Sequence, residues 1–508
     1  MTCFLGVDIG TSGTKTLLID GTGAVIASAS SGYPLSTPKP LWAEQNPEDW
    51  WNATVLTIKS VLEKSGVSAP EIAGIGLSGQ MHGAVFLDSD NRVLRPSILW
   101  CDQRTGAECE WITKQIGADR VAELISNPVL TGFTAGKIVW VRNNEPEVYA
   151  KTRKVLLPKD YIRLKLTGEY ATEVSDASGT ALFDVRNRRW SDEMLAGAEI
   201  PADWMPPVYE SPEISGRVSR EAAALTGLTA GTPVVGGGGD QAAGAVGNGV
   251  VEEGIISSAV GTSGVVFAFA DQPVVDPKLR VHTFCHAVPG KWHVMGVMLS
   301  AGGSLRWYRD TFAESESAIA RETGRDVYDL LCEEAAGVEP GCEGLIFLPY
   351  LTGERTPYPD PNARGAFIGA TLRHEKKHFV TAVLEGVAYG LRDSFEILRQ
   401  MDVPIREVRA SGGGARSAVW RRIQAEVIGC EHVTINVDEG PAFGAALLAS
   451  VGTGFHASVP EACRATIWPV GSEVPSAERT ARYDQFYQVY RSLYPALKDQ
   501  FAAITKIV

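Results

Sequence analysis

The tetrapeptide Gly-Thr-Ser-Gly occurs twice in this chain of 508 residues, at positions 10–13 and 261–264. Each copy separates two apolar runs: "FLGVDI" from "TLLID", and "GIISSAV" from "VVFAFA". An apolar run, a glycine-rich turn and a second apolar run are typical of a β-hairpin. Because the whole unit recurs, we interpret the chain as an internal duplication whose two halves each begin with a strand, the same turn and a second strand.

Strands and helices alternate along the rest of both halves. The first half continues with an amphipathic helix, "PEDWWNATVLTIKSVLEKSG", and the second contains a long helix of 3.6-residue period, "KHFVTAVLEGVAYGLRDSFEILRQM". This alternation predicts the α/β class, with two related domains facing each other. We place the boundary near Gly247, which gives predicted domains of residues 1–247 and 248–508.

The overall composition restricts the class of partner. The chain is 44% hydrophobic and 21% charged and carries a net charge of -13, which argues against a surface for nucleic acid or anionic membrane. Its eight cysteines include no C-x-x-C pair, and the N-terminal "MTCFLGVDIG" lacks the basic start of a secretory signal, so we expect a cytoplasmic protein. The apolar stretch at 254–270 is shorter than the roughly 20 residues that a spanning helix needs. These features favour small-molecule partners.

Both Gly-Thr-Ser-Gly turns are candidate phosphate-binding sites. Such a turn directs several backbone N–H groups and two hydroxyls into one concavity, although a tight hairpin turn without any ligand fits the same four residues. The first turn is preceded by Asp8, whose carboxylate suits Mg²⁺, and followed by Lys15, whose ammonium suits phosphate. The second has Ala259 and Val266 at the corresponding positions, so the two halves are expected to perform different tasks.

A second acid, Asp240, ends the stretch "VVGGGGD". Glycines before an acid at the end of a strand allow a ligand to approach the backbone and place the carboxylate at the sheet edge where α/β proteins bind ligands. The same Asp also fits as the cap of the following helix, and the two roles are compatible. An ionised carboxylate here is a candidate acceptor for a hydroxyl proton in phosphoryl transfer.

Two other patterns are weak. "GIGLSG" at 74–79 matches the dinucleotide-binding fingerprint, but "QMHGAVFLD" follows where the phosphate-binding helix should begin. The cluster "HTFCHAVPGKWH" groups three histidines and a cysteine, but its spacing fits no standard zinc pattern, so packing or pocket roles are favoured: His282, Cys285, His286 and His293. The P-loop pattern is absent from the sequence, which leaves the two turns as the phosphate candidates.

Taken together, these motifs resemble the FGGY family of carbohydrate kinases, which have a duplicated ribonuclease-H-like fold around a deep cleft. Within that family the chain is most similar to the members that phosphorylate D-xylulose. The resemblance extends from the first strand to about Gly444, and the stretches that carry it include "GVDIGTSGTK", "GLSGQMHGAVFLD", "LWCDQRT", "GGGDQAAGAVG", "FLPYLTGERTPYPDPNARGAF" and "SGGGARSAVWR".

The resemblance implies a role for each matching residue. It implies that Asp240 accepts the proton of the C5 hydroxyl of D-xylulose. It also implies that Asp8 is the acid nearest the metal ion. Sugar contacts are implied for Gln80, Met81, His82, Trp100, Asp102, Arg104 and Gln241. Phosphate and nucleotide contacts are implied for Gly10, Thr11, Ser12, Lys15, Gly261, Thr262, Ser263, Gly302, Gly413 and Gly414. Arg306 departs from the family pattern near the nucleotide, because glycerol kinases carry glutamine there.

The resemblance also implies ATP as co-substrate, Mg²⁺ as cofactor, D-xylulose as substrate and a homodimer, with closure of the cleft assembling the site and excluding water. Other sugars stay open as alternatives, namely L-ribulose, D-ribulose, L-xylulose, gluconate and glycerol. Outside the kinases, chaperone ATPases and actin-like filament proteins belong to the same superfamily. They are disfavoured, because only about 60 residues follow the last nucleotide motif and a filament protein needs no polyol pocket.

Overall fold

The computed structural model describes residues 2–507. Its first half contains fifteen strands within those residues, many of them short: β1 Cys3–Ile9, β2 Gly13–Asp20, β3 Val25–Gly32, β4 Glu44–Gln45, β5 Ile72–Gly79, β6 Val85–Leu87, β7 Ser97–Ile98, β8 Lys154–Leu156, β9 Thr172–Glu173, β10 Phe183–Asp184, β11 Arg189–Trp190, β12 Val208–Tyr209, β13 Ile214–Arg217, β14 Pro233–Val235 and β15 Gly238–Gly239. The α-helices of this half are α1 Pro47–Ser65, α2 Gly106–Ile116, α3 Ala118–Ile125, α4 Thr134–Asn144, α5 Pro146–Lys151, α6 Pro158–Thr167, α7 Val174–Ala177, α8 Asp192–Gly197, α9 Arg220–Thr226 and α10 Asp240–Gly247.

The strands and helices of the second half are longer on average. Its strands are β16 Gly254–Val260, β17 Gly264–Ala270, β18 His282–Cys285, β19 Trp292–Met298, β20 Ile346–Leu348, β21 Ala366–Ile368, β22 Ile405–Ser411, β23 His432–Ile435 and β24 Pro469–Glu473. Its helices are α11 Gly302–Phe312, α12 Glu314–Thr323, α13 Val327–Ala335, α14 Lys376–Gln400, α15 Ala418–Ile428, α16 Pro441–Gly452, α17 Val459–Thr466 and α18 Ala477–Thr505.

The two large sheets repeat one topology, which confirms the predicted duplication. In the first, the path β13-β14-β5-β1-β2-β3 places β1 antiparallel to β2 and parallel to β5. In the second, the path β24-β23-β22-β16-β17-β19 places β16 antiparallel to β17 and parallel to β22. Even the register agrees, since Asp8 pairs with Ser78 in one sheet and Ala259 pairs with Ser411 in the other. The fold is α/β, as predicted.

Helix α16 belongs to the second half of the sequence but packs on the first sheet. A Cβ at Gly6 of β1 would lie 1.9 Å from the Ala442 carbonyl oxygen, so the helix backbone rests directly on the strand. A Cβ at Gly444 would lie 1.8 Å from the Ala243 carbonyl oxygen of α10, so the two helices cross at equally short range. Glycine permits both approaches because it carries no side chain. The two halves are therefore joined by backbone-to-backbone packing, and the exact boundary near Gly247 stays a prediction.

The long C-terminal helix α18 fills a second core. Its buried tyrosines Tyr483, Tyr487 and Tyr490 pack on α14, and the Tyr487 hydroxyl donates to Asp393 Oδ1 at 2.7 Å. The sequence motifs gave no sign of this contribution from the last 60 or so residues. Within residues 2–507 no helix is both long and apolar enough to cross a membrane.

Candidate active site

The first Gly-Thr-Ser-Gly turn closes the hairpin of β1 and β2, at the end of these two strands of the first sheet. Gly10 N donates to Gly13 O at 3.0 Å, as a tight turn between β1 and β2 requires. The Gln45 amide donates to the Thr11 carbonyl at 2.7 Å and the Trp100 indole donates to the Thr11 hydroxyl at 2.9 Å. Neighbouring loops thus hold the turn on both sides, so it is a rigid platform.

Asp8 and Asp240 lie at the same sheet edge. Asp8 is next to last in β1, and Asp240 follows β15, whose Gly238 pairs with Ser78 just as Asp8 does. Burial raises the pKa of Asp240 to about 6, although the Gln241 backbone N–H, which donates to Asp240 Oδ1 at 2.8 Å, opposes that rise. Burial and the neighbouring charge of Asp240 raise the pKa of Asp8 to about 7. Two carboxylates that repel each other in a cleft are typical of a site that binds a cation or moves a proton.

Lys15 projects from β2 directly opposite Asp8, but its ammonium contacts Glu439, which lies just before helix α16. Both side chains are about one-third exposed. Lys15 therefore reaches the rim of the cleft, and a phosphate there would compete with Glu439 for it. The phosphate contact of Lys15 stays a prediction, and no sequence pattern had indicated Glu439.

Met81 and His82 follow β5, and Met81 packs on the segment that leads into Asp240. Met81 is buried against Gly239, where a Cβ would lie 2.8 Å from Met81 Cγ. His82 has a backbone φ of 70° and places its ring against Phe133, with centroids 4.9 Å apart. Burial holds the pKa of His82 well below its ordinary value, so the ring is neutral. Met81 thus packs on the residue that precedes Asp240, and the sugar contacts of Met81 and His82 stay predictions.

The remaining predicted sugar residues divide into two groups. Gln80 and Gln241 flank the acids, and Gln80 accepts from the Thr11 hydroxyl at 3.3 Å while donating to Gln45 at 3.0 Å. Asp102 and Arg104 instead form a buried ion pair at 2.6 Å, and the guanidinium lies 3.6 Å from the centre of the Trp42 ring. As placed here they stabilise the loop that carries Trp100, and a direct sugar contact for either stays a prediction.

The second Gly-Thr-Ser-Gly turn lies beside the start of helix α11. Gly302 N donates to Gly261 O at 2.8 Å, and a Cβ at Gly302 would lie 2.5 Å from that oxygen, so the helix terminus packs on the turn. A helix N-terminus favours an anion. The cavity beside it, about 540 Å³, is large enough for a nucleoside, and it brings together predicted nucleotide residues from three segments: Gly261, Thr262, Gly302, Gly413 and Gly414.

Sequence reasoning missed several residues of this cavity. Tyr328, Arg416 and Trp420 also line it, together with Arg306, the residue that departs from the family pattern. The stretch "SGGGARSAVWR" contains Arg416 and Trp420 and could have indicated them, whereas Tyr328 lies on α13, which carries no motif. Ser263 does not line the cavity, and its phosphate role stays a prediction.

The histidines of "HTFCHAVPGKWH" pack against phenylalanine rings, one of which also contacts His82. His293 stacks on Phe267 with centroids 4.1 Å apart, and His282 stacks on Phe284 at 5.6 Å. His282 Nδ1 also lies 3.1 Å from Asn127 Oδ1 of the first half. These rings therefore join the two halves behind His82.

Two family models match the chain. The N-terminal domain of the FGGY family of carbohydrate kinases matches residues 3–247, and the C-terminal domain of the same family matches residues 256–453.

Three similar proteins cover nearly the whole chain. It is 41% identical over 499 residues to a xylulose kinase from Escherichia coli (strain K12), with 97% of this chain and 99% of that protein covered. A crystal structure of a xyloylose kinase from Brucella ovis superposes with a TM-score of 0.89 at 39% identity, covering 98% of this chain and 100% of that one. A gluconokinase from Bacillus subtilis (strain 168) is 34% identical over 98% of this chain and 97% of its own length.

Proposed function

This chain belongs to the FGGY family of carbohydrate kinases and is an ATP-dependent sugar kinase, and we propose that it transfers the terminal phosphoryl group of ATP to the 5-hydroxyl of D-xylulose. The products are D-xylulose 5-phosphate and ADP. The observation that supports the proposal is that Asp240 follows Gly239, which packs on Met81, and lies near Asp8 at the sheet edge that carries the first turn.

Asp240 is the proton acceptor in this proposal. The C5 oxygen attacks the γ-phosphorus, the bond from that phosphorus to the bridging oxygen of ADP breaks, and the hydroxyl proton passes to the Asp240 carboxylate. A pKa of about 6 leaves the group ionised at neutral pH yet basic enough to take the proton late in the transfer. Alignment by the surrounding loops supplies much of the remaining acceleration, because phosphoryl transfer needs little covalent help.

The residues present fit a divalent metal ion that arrives with ATP, and we propose Mg²⁺. Asp8 Oδ1 is buried without a hydrogen-bond partner among residues 2–507, and an unpartnered carboxylate oxygen is the ligand that Mg²⁺ prefers. When bound, Mg²⁺ neutralises charge on the phosphates. Mg²⁺ characteristically uses one or two carboxylates together with substrate phosphates and water, which matches a single first-turn acid.

In this proposal each half of the protein binds a different part of the MgATP phosphate chain through its own turn. The first turn, beside Lys15, faces the γ-phosphate and the sugar, and the second turn, at the start of α11, holds the nucleotide side. Closure of the halves on MgATP and sugar would exclude water and so suppress ATP hydrolysis. Because its co-substrate is ATP, we also propose a cytoplasmic location. The homodimer is a separate proposal, which equilibrium sedimentation tests.

Substrate identity is the part of the proposal that most needs an experiment, because a gluconokinase is among the relatives. We would measure ADP release from MgATP by the purified protein with D-xylulose, L-xylulose, D-ribulose, L-ribulose, gluconate and glycerol, each beside a well without sugar. The proposal predicts that D-xylulose gives the highest kcat/KM. A higher kcat/KM for another sugar would assign that sugar as the substrate in place of D-xylulose. Turnover that is independent of sugar would contradict the kinase mechanism.

A further inference from the structure

His82 lies in an uncommon backbone conformation that neighbouring groups support. Its φ of 70° lies in the left-handed region, which is uncommon for a residue with a side chain. The ring is also confined, because Gly179 approaches so closely that a Cβ there would lie 2.5 Å from His82 Cε1. A residue that fixes this conformation therefore fixes what His82 presents to a ligand.

That support comes from a fully buried lysine on helix α4. Lys137 Nζ donates to the His82 carbonyl oxygen at 2.6 Å and to the Gly132 carbonyl oxygen at 2.7 Å, and the Thr134 hydroxyl donates to the same His82 oxygen at 3.1 Å. Burial lowers the pKa of Lys137 to about 7. Burying a long amine-bearing side chain away from water is costly. The two hydrogen bonds from Nζ to carbonyl oxygens offset part of that cost and fix the position of the His82 carbonyl.

The ring of His82 has a defined polarity. Its Nδ1 lies 2.6 Å from the Gly179 carbonyl oxygen, and because a carbonyl oxygen only accepts, the proton of the neutral ring resides on Nδ1. The opposite nitrogen, Nε2, is left as an acceptor. The charged groups that act on the ring, Lys137 and Arg355, both disfavour a second proton, as does the neighbouring ring of His282.

We infer that Lys137 is a positioning residue for substrate recognition: by holding the His82 backbone in its left-handed conformation it keeps Nδ1 on Gly179 and presents Nε2 to accept a hydrogen bond from a sugar hydroxyl. This inference rests on the proposed sugar site. It assigns the group opposite His82 as a hydroxyl donor, so an analogue with a keto or deoxy carbon at that position leaves Nε2 unpaired and binds poorly.

Two measurements test the inference, and the first needs no turnover. Long-range ¹H–¹⁵N spectra of protein labelled at histidine give the tautomer of each ring, and His82→Asn identifies the His82 signals. We expect the Nδ1–H form for His82 in the wild type and a mixture of both forms in Lys137→Met. An Nε2–H form in the folded wild type would overturn the inference even if the protein proves to be a good sugar kinase.

The second measurement separates positioning from general stability. Lys137→Met should raise the sugar KM about tenfold, the value of one good hydrogen bond, while the ATP KM changes less than about twofold. Val141→Ala is the matched control, because it removes buried volume from the same helix without touching the His82 carbonyl. Equal rises of both KM values, or the same sugar effect in Val141→Ala at similar loss of Tm, would reduce Lys137 to a packing residue.

Discussion

Replacing Asp240 by Asn should separate catalysis from binding more clearly than any other change. Asn has the same shape and its amide oxygen still accepts from the Gln241 N–H, but it cannot take a proton. A general base contributes about 10²- to 10⁴-fold, so kcat should fall by that factor, which corresponds to about 3–5 kcal/mol of barrier. The sugar KM should stay within a few fold, because the substitution leaves the proposed sugar contacts of Met81 and His82 in place.

The same substitution should not destabilise the fold at alkaline pH. Burial raises the pKa of Asp240 from 3.8 to about 6, so the folded protein binds the proton more tightly than the unfolded chain does. The stability of the wild type therefore falls as pH rises from 3.8 through about 6, by at most about 3 kcal/mol above that range. Asn carries no charge at any of these pH values. It also removes the repulsion that helps to raise the pKa of Asp8.

The assay is a coupled ADP measurement at saturating D-xylulose and MgATP, together with thermal unfolding of both proteins at pH 5 and pH 8. The variant should have a Tm equal to or above that of the wild type at pH 8, with the difference shrinking at pH 5. Asp90→Asn, at an exposed acid outside both turns that contacts Arg92 in an exposed ion pair, is the control for loss of one negative charge. A variant that unfolds normally and keeps near wild-type kcat would refute the role of Asp240.

Three further perturbations probe other parts of the site. Gly302→Ala should raise the ATP KM about tenfold with the sugar KM unchanged, because the new methyl group pushes Gly261 of the second turn; equal effects on both substrates would contradict this. Lys15→Met should lower kcat about ten- to a hundredfold by removing positive charge near the γ-phosphate, and an unchanged kcat would mean that Lys15 serves only to pair Glu439. In the pH dependence of wild-type kcat/KM for the sugar, activity should fall about tenfold per pH unit below pH about 6, because Asp240 must be ionised to accept the proton; a flat profile down to pH 5 would exclude it as the base.

Much of the fold followed from the sequence because its signals are local. The repeated turn between apolar runs predicted both hairpins, and β1 with β2 and β16 with β17 confirm them. The resemblance to the FGGY family is likewise confirmed by the two family models. The packing of α16 on the first sheet was not predictable in this way, because its closest contacts join residues more than 360 positions apart and require glycine on the strands.

The candidate site was predicted only in part. Asp8 and Asp240 were predicted from glycine-rich motifs and Gly302 from the family resemblance, and the roles of all three stay predictions. Lys137 was missed because its partners are main-chain carbonyl oxygens, which leave no trace in residue types. For Asp102 the family resemblance implied a sugar contact. The structure shows a buried ion pair with Arg104, which the sequence did not indicate, and the sugar contact stays a prediction.

The position of the transferred phosphate is the most direct test of the central claim, that the first turn, Asp240 and the Met81–His82 pair align one hydroxyl of one ketopentose with MgATP. We would incubate the enzyme with MgATP and D-[5-¹³C]xylulose and record ³¹P and ¹³C spectra of the product. The account predicts a single phosphomonoester whose phosphorus couples to the labelled C5, formed at the same rate as ADP. Phosphate on C1, or ADP accumulating with free inorganic phosphate and unchanged sugar, would contradict it.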